Sequence, residues 1–444
     1  MRVFLRKMRT HKLAANLRNW RSKRPIADEL ARNSAFASMG QAYQLALSGL
    51  LSILLARQLG VEAMGMYVAT QALVGLVYVF TRLGLDVPAK RETSRDITRM
   101  RPYFGSALAV YLTVSMPLSL ILALAAGKLL GIGSVPVIVL MALFVNTSGL
   151  VGLYRAAFHA LNMFDISARV TVATHTAYVL IVALVLWFYP DLVIVLAVMV
   201  IAQLGILLIH VLVMKNIGYG FRPVWDIRLW RRIIIDGIPV MLASSGEYVN
   251  LRSDSIIIGA MLGVTVAGIY GVAYSFYLML AIIVYLPSVG VFPTLARFSA
   301  NHGLKAYRVF TNKLSLIFLG FSSLVAVGMY LLAPLLLVFL YGDEYQSSII
   351  PLRILIIGLP FVALNRLMVQ VLNASDLQSW TFRATAIGAT FNVLVNLILI
   401  PRFGIVAAAY TTIITEALVW VVAVLGLRWA IARASTPSSS STIG

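Results

Sequence analysis

An all-α polytopic membrane protein is the fold class that the sequence predicts: about twelve transmembrane helices forming two parallel six-helix bundles around a central cavity. Three observations carry that expectation. The 444 residues are 60% hydrophobic and only 12% charged, about half the charged fraction of a soluble domain; the mean hydropathy is +0.91. The apolar residues come in runs of about 20 or more, enough for a helix to cross a hydrocarbon core, without the short alternating strands of a closed barrel. Finally, the chain repeats itself: LGVEAMGMY at 59–67 returns as LGVTVAGIY at 262–270.

Taken in order, residues 1–32 lack a central apolar run and are rich in Arg and Lys, which excludes a cleavable signal peptide. They read as a basic cytoplasmic arm lying on anionic headgroups. Spans follow at about 33–56, 63–84, 103–126, 135–157, 168–189, 191–213, 235–260, 265–290, 311–333, 347–372, 379–400 and 404–428. The stretch APLLLVFLYGDEY at 333–345 either extends the ninth span or forms a short re-entrant piece. The polar tail STPSSSSTIG is low in complexity. The expected domains are the arm, an N-lobe over 33–213, a basic cytoplasmic linker over 214–234, a C-lobe over 235–428 and a disordered cytoplasmic tail over 429–444.

The net charge of +20 would suggest nucleic acid in a soluble chain. Here Lys and Arg gather in alternate loops, as the positive-inside rule requires. Arg82, Lys90, Arg91, Arg95, Arg99 and Arg101 share one loop, and Lys215, Arg222, Arg228, Arg231 and Arg232 another. The opposite side keeps only Arg57, Lys128, Arg353 and Arg402. Both termini are therefore expected inside, with no nucleic-acid partner.

The repeat extends beyond nine residues. Ser52, Ile53, Leu59, Gly60, Val61, Gly65 and Tyr67 meet identical residues at 255, 256, 262, 263, 264, 268 and 270. Further on, Arg155, Leu161, Asn162 and Asp165 recur as Arg366, Leu372, Asn373 and Asp376. Two halves of six spans enter the membrane in the same sense, so a two-fold axis along the membrane normal is expected, with a site at their interface. The four glycines of the first phrase suit short turns and close helix approach, and Tyr67 and Tyr270 an interfacial aromatic belt.

Polar residues inside the spans are the candidate site. Ser34, Ser38, Gln41, Gln44, Ser48 and Ser52 lie on one side of the first helix, and must face protein or water. They read either as interhelical hydrogen-bond partners or as the wall of a hydrophilic cavity. In the seventh span, SSGEYVNLRSDS, Glu247, Tyr248 and Asp254 share a face and Arg252 projects from another. Facing lipid, each charge would cost about 2.5–3.5 kcal/mol, so they either form a structural ion pair or contact substrate and ions. Glu416 in the last span is a candidate of the same kind. Arg155 and Arg366 read as headgroup anchors beside a turn whose Asp caps the next helix, or as a cytoplasmic gate that meets an anionic headgroup through the guanidinium fork.

No cysteine is present, and the five histidines show no metal-ligand spacing. There is no phosphate-binding loop motif and no HExxH. No metal, cofactor or catalytic residue is expected.

The stretches LARNSAFAS and LLARQLGVEAMGMYVATQALVGLVYVFTRLGLD resemble the start of the polysaccharide-biosynthesis flippases. So does IPVMLASSGEYVNLRSDSIIIGAMLGVTVAGIYGVAYSF, and NVLVNLILIPRFGIVAAAYTTIITEALVW is similar to the family's last spans. The resemblance implies the V-shaped fold of the multidrug/oligosaccharidyl-lipid/polysaccharide (MOP) exporter superfamily. It implies alternating-access flipping of polyprenyl-diphosphate-linked oligosaccharide across the bacterial cytoplasmic (inner) membrane, for exopolysaccharide, capsule or O-antigen. On that reading Arg252 is the diphosphate cation, with Ser34, Ser38, Gln41, Gln44, Ser48 and Tyr248 lining the cavity. Glu247, Asp254 and Glu416 would then couple H+ or Na+. The partners implied are the lipid-linked oligosaccharide, membrane lipids, and a polysaccharide polymerase with its export machinery. The alternatives are a multidrug/cation antiporter of the same superfamily and a membrane-embedded sugar polymerase or glycosyltransferase.

Overall fold

The computed structural model describes residues 26–301, 304–375 and 377–435, except for the side chains of 26–39, 41–42, 289–290, 292–293, 296–297, 300–301, 304–305 and 433–435. Most of the basic arm, Asp376 and the last nine residues of the tail thus lie outside the described residues. Among the described residues every regular element is helical. Eight helices are long and apolar enough to cross a membrane, or nine when a pair bent by 43° counts as one span.

The twelve predicted spans all find a helix. Helix α1 (Ile26–Thr81) holds the first two, broken at Gly60 with φ 76° and ψ 177°, a backbone region essentially reserved for glycine. A short helix α2 (Asp86–Arg95) follows, then α3 (Ile97–Leu130), α4 (Val135–Ala160), α5 (Phe164–Phe188) and α6 (Leu192–Asn216). Helix α7 (Ile227–Met261) carries the seventh span but is not among the eight. Helix α8 (Val264–Asn301) precedes α9 (Leu304–Tyr341), so the 333–345 stretch extends the ninth span as far as Tyr341. The bent pair is α10 (Ile349–Ile357) with α11 (Leu359–Asn373). Helix α12 (Gln378–Ser435) holds the last two spans, broken at Gly404 with φ 64° and ψ −151°. It continues past the expected end at 428, so residues 429–435 are helical where a disordered tail was expected.

Packing divides the chain into two compact units. The first is residues 1–54 with 70–245, and the second is 55–69 with 246–444. The segment Leu55–Ala69, around the Gly60 break, therefore packs with the second half of the chain. There Tyr345 donates its hydroxyl to the Ala56 carbonyl at 3.2 Å.

In the first unit, α4 lies against α6, and Phe104, Tyr154, Phe158, Met214 and Ile233 are buried at the core. Helix α3 widens into a π-turn at Tyr111–Ser115. There the Tyr111 hydroxyl donates to the Asn146 carbonyl at 2.9 Å, and Asn146 Nδ2 donates to Ser119. Gly149 makes room for that hydroxyl and for Tyr78's: a Cβ there would sit 2.2 Å from Tyr78 Oη and 2.3 Å from Tyr111 Oη.

Two local expectations are corrected. Tyr67 and Tyr270 are buried, Tyr270 completely, so they are not interfacial belt residues. The tight seam formed by the duplicated phrase draws them inside. A Cβ on Gly65 would lie 1.7 Å from the Val264 carbonyl oxygen, and one on Gly268 would lie 2.3 Å from that of Val61. The two copies of the phrase thus pack backbone to backbone through Gly65 and Gly268. The second correction concerns Asp165. The N-cap of α5 is Met163, without a side-chain cap bond, and Asp165 sits inside the first turn. It acts there through the helix dipole, while Asn162 takes the left-handed turn at φ 56°, as short polar side chains can.

Helix α2 was hidden in what reads as a basic loop. It rests on α3 and α4 and buries Glu92 to 2% exposure. Arg99 reaches Glu92 at 2.6 Å and Arg95 at 3.2 Å, while Arg91 turns to Asp236 of α7 at 2.7 Å. Burial alone would raise the Glu92 pKa. The Arg99 hydrogen bond and the charges of Arg95, Arg99 and Arg232 outweigh it, holding the carboxyl below its ordinary range.

Candidate functional site

Each unit encloses its own polar cluster. In the first unit it centres on Arg155, near the end of α4. Arg155 Nη1 donates to Gln44 Oε1 at 3.3 Å, and Nε is buried without a hydrogen-bond partner. Among the described residues Arg155 makes no ion pair. Around it stand histidines that looked scattered in sequence. His175 from α5 is 8% exposed and His210 from α6 is 0% exposed. Both lie within electrostatic range of Arg155, as does His159, one turn further along α4. His210 Nδ1 is bonded to the Ile206 carbonyl at 2.9 Å, and His159 Nε2 faces Ser167 Oγ at 3.3 Å. His210 Nε2 is buried without a partner, and the His175 ring meets the Thr171 backbone one turn back. A guanidinium taken out of water without a carboxylate costs several kcal/mol. An anion entering beside it would offset that cost through charge-assisted hydrogen bonds.

The cavity wall expected along the first helix is only partly visible. The side chains of Ser34, Ser38 and Gln41 lie outside the described residues. Gln44 joins Arg155, whereas Ser48 is exposed and donates back to the Gln44 carbonyl at 2.9 Å.

The second unit has the opposite character. Asp254 on α7 is 3% exposed; it accepts from the Tyr270 hydroxyl and, at 2.7 Å, from the Ser255 amide. Ser253 donates to Asn392 Oδ1 at 2.9 Å; Asn396 Nδ2 reaches the same oxygen at 3.0 Å, and Asn392 Nδ2 reaches Thr415 at 3.3 Å. Glu416, beside Thr415, accepts from Asn365 Nδ2 on α11. A ladder of rings, Tyr270, Tyr274 and Tyr277, with successive centroids 5.8 Å apart, rises along α8. Arg252 lies over the Tyr274 ring, 5.8 Å from its centroid, where the π face supplies attraction without a counter-charge. Tyr248 is half-buried on the same helix.

Two sequence groupings separate in space. Glu247 and Asp254 share a helical face, yet the Glu247 side chain is 68% exposed and meets Arg366 at 3.9 Å, whereas Asp254 is sealed in. Arg155 and Arg366 occupy matching repeat positions but differ in surroundings, because Arg366 is half-exposed and lies over Tyr285 at 5.5 Å. The Asn and Thr partners of α12 and the histidine cluster escaped sequence reasoning. Their only signal was polar residues at helical spacing, Asn392 with Asn396 and Thr411 with Thr415.

The family model for "Polysaccharide biosynthesis protein" matches residues 30–299. The chain belongs to that family. Among curated relatives, a probable flippase, AglR of Haloferax volcanii, is 33% identical over 183 residues, which is 39% of this chain and 37% of the relative. An uncharacterised membrane protein of Methanocaldococcus jannaschii is 25% identical over 224 residues, 50% of this chain and 44% of the relative. These matches span less than half the length of either relative.

Solved structures cover far more of the fold. The lipid II flippase MurJ in an inward closed conformation superimposes with a TM-score of 0.71 at 16% identity, over 89% of this chain and 87% of that one. An inward-facing MATE-family multidrug transporter of the MOP superfamily gives 0.66 at 14% identity, over 93% and 100%. A Vibrio cholerae MATE transporter, VcmN, gives 0.63 at 15% identity, over 92% and 98%. The all-α polytopic fold of this family member is the fold that these solved transporters share.

Proposed function

We propose that this protein is a flippase that carries polyprenyl-diphosphate-linked oligosaccharide across the bacterial cytoplasmic membrane by alternating access. Residues 33–213 and 235–428 serve as its lobes, except that Leu55–Ala69 packs into the second, and both termini face the cytoplasm. Family membership sets the polysaccharide context. The observation that carries the reading is Arg155, a guanidinium inside the first unit with a buried, unpartnered Nε and with His175 and His210 within electrostatic range. Such a site suits an anion, and a diphosphate is the part of a lipid-linked sugar most costly to desolvate. Arg252, lying over the Tyr274 ring, is the matching cation of the second unit.

The sealed carboxyl of Asp254, held by Tyr270, supplies the exchangeable proton or a ligand for coupling to H+ or Na+, with the half-buried Glu416, which accepts from Asn365, as the second candidate acid of this unit. Glu247, exposed and paired with Arg366, serves instead as a contact that forms or breaks as the carrier changes state. The substrate comes from inner-leaflet glycosyltransfer, and the product passes to a polymerase and export machinery.

Deletion of the gene tests the reading. Lipid-linked oligosaccharide should accumulate on the inner leaflet, and Arg155→Gln should fail to relieve the block while reaching the membrane in normal amount. Full polymer output from that variant would remove Arg155 from the site. One observation favours a second reading, a cation antiporter: the likeness to MATE transporters extends over more than nine-tenths of the chain. Drug sensitivity in the deletion strain, with normal surface polysaccharide, would select it.

A further inference from the structure

The linker between α6 and α7 is built into the first unit rather than looping free. Helix α6 ends with Lys215 in its last turn, and Gly218 turns the chain at φ 86° while the Tyr219 amide bonds the Met214 carbonyl at 3.1 Å. Phe221 then inserts to 8% exposure, stacked on Tyr154 with centroids 4.6 Å apart. The Val224 amide donates to the Gly105 carbonyl at 3.0 Å. A Cβ on Gly105 would lie 2.5 Å from the Arg222 carbonyl oxygen, so glycine is needed for the linker to sit this close.

This docking forms one wall of an open pocket of about 650 Å³, within the range of small-ligand sites. Arg101 of α3, Lys215 of α6 and Arg222 of the linker supply its charge, with Tyr154 and Phe221 on its floor and no carboxylate among its lining residues. Immediately beyond, Trp225 is 70% exposed and Ile227 is 79% exposed. Trp230 tethers this lip by donating its indole N–H to the Val224 carbonyl at 2.9 Å. Three cations over an aromatic floor call for a phosphate. Large apolar side chains left exposed beside them, at the ends of membrane helices, call for the acyl–headgroup boundary.

We propose that this pocket binds the phosphate of an anionic phospholipid of the inner leaflet, with Trp225 and Ile227 seated in the boundary around it. Neither Arg155 nor its histidines are among the residues that line it. The site rests on the inward orientation of the basic loops proposed above, not on the identity of the transported sugar. A bound lipid would pin the linker on the first unit and so set where α7 begins.

The test uses the full chain, delipidated in neutral detergent, with phosphatidylglycerol binding measured by native mass spectrometry and phosphatidylcholine as the comparison. Each removed cation should weaken binding roughly fivefold. R101Q/K215Q/R222Q should therefore bind phosphatidylglycerol about a hundredfold more weakly. R57Q/K128Q/R402Q, which loses the same net charge elsewhere, should bind it as the parent does. Equal loss in both triple variants would mean unspecific attraction to a +20 protein and overturn the site. If the triple variant does not fold, K215Q alone should show the fivefold loss, and no loss would overturn the proposal equally. W225S/I227S, which keeps all three cations, should also weaken phosphatidylglycerol binding, and an unchanged affinity would overturn the seating of these side chains in the boundary. Displacement of phosphatidylglycerol by millimolar inorganic or glycerol phosphate would assign the pocket to a soluble phosphate and refute the lipid. Binding in detergent is independent of orientation, so an impermeant maleimide on R228C in oriented vesicles tests the topology separately.

Discussion

The seam between the duplicated phrases makes the sharpest stability prediction. In Gly65→Ala the new methyl would start 1.7 Å from the Val264 carbonyl oxygen, with the Gly268 nitrogen only 2.9 Å away. Real Cβ atoms essentially never come closer than 3.0 Å to a neighbour. What must move is backbone on a packed helix, not the end of a flexible side chain. Overpacking costs about 1–3 kcal/mol even when side chains can give way, so the upper end applies. Against it stands a gain of about 0.4–1 kcal/mol from the lower entropy of an unfolded chain carrying Ala. The net is a loss of about 2 kcal/mol, or roughly 4–8 °C for a unit of some 200 residues. Gly320→Ala, whose Cβ would meet nothing within 4 Å, should keep only the gain. Thermal unfolding of detergent-solubilised protein, followed by fluorescence-detected gel filtration, measures both. Gly65→Ala melting at or above Gly320→Ala would refute the close packing, and Gly268→Ala should reproduce the loss.

Glu92 titrates below the ordinary carboxylate range when folded. Its contribution is therefore fully present above the ordinary pKa near 4.3 and is lost as pH falls through the lower folded value. The gap in melting temperature between the parent and Glu92→Gln should stay constant from pH 8 to 6 and close below pH 4; a gap that widens on acidification would contradict the Arg95–Arg99 clasp. Asp254→Asn, which removes the charge that Tyr270 solvates, should abolish the dependence of transport on H+ or Na+ gradients in proteoliposomes. Glu247→Gln, at an exposed position, should change rate alone, and the reverse pattern would exchange their roles. Gly404→Ala places a methyl on a backbone that only glycine adopts freely and should cost about 1–3 kcal/mol, read as lower yield and melting temperature; an unchanged protein would show that the break at 404 relaxes without cost.

Much of the fold was legible because the bilayer imposes a length scale: a run of twenty apolar residues reads as a membrane helix, and each of the twelve expected stretches is helical. The repeat was legible for a different reason. Gly60 and Gly65, with their partners Gly263 and Gly268, mark backbone constraints that few substitutions satisfy, so the phrase stands out. The site was less readable. Helical periodicity put Glu247 and Asp254 on one face but cannot say that one ends in the open and the other beneath Tyr270. His175 and His210 lie 35 positions apart on different helices, and nothing local reveals that both reach Arg155. Helix α2 was missed because it is short and charged, and its one buried acid is explained by Arg95 at its last position together with Arg99 from beyond its end.

One consequence follows from where Leu55–Ala69 packs. The gene reads as two equal halves, but the second unit takes part of its interior from the first half of the chain, through Ala56, Gly65 and Val68. A fragment starting at residue 235 would lack a strip of its own lining, and its partner fragment would carry that strip with nothing to cover it. Splitting the open reading frame at its symmetric midpoint should therefore give two insoluble products, with rescue only on co-expression. Having borrowed across the midpoint, neither copy can be deleted or exchanged alone.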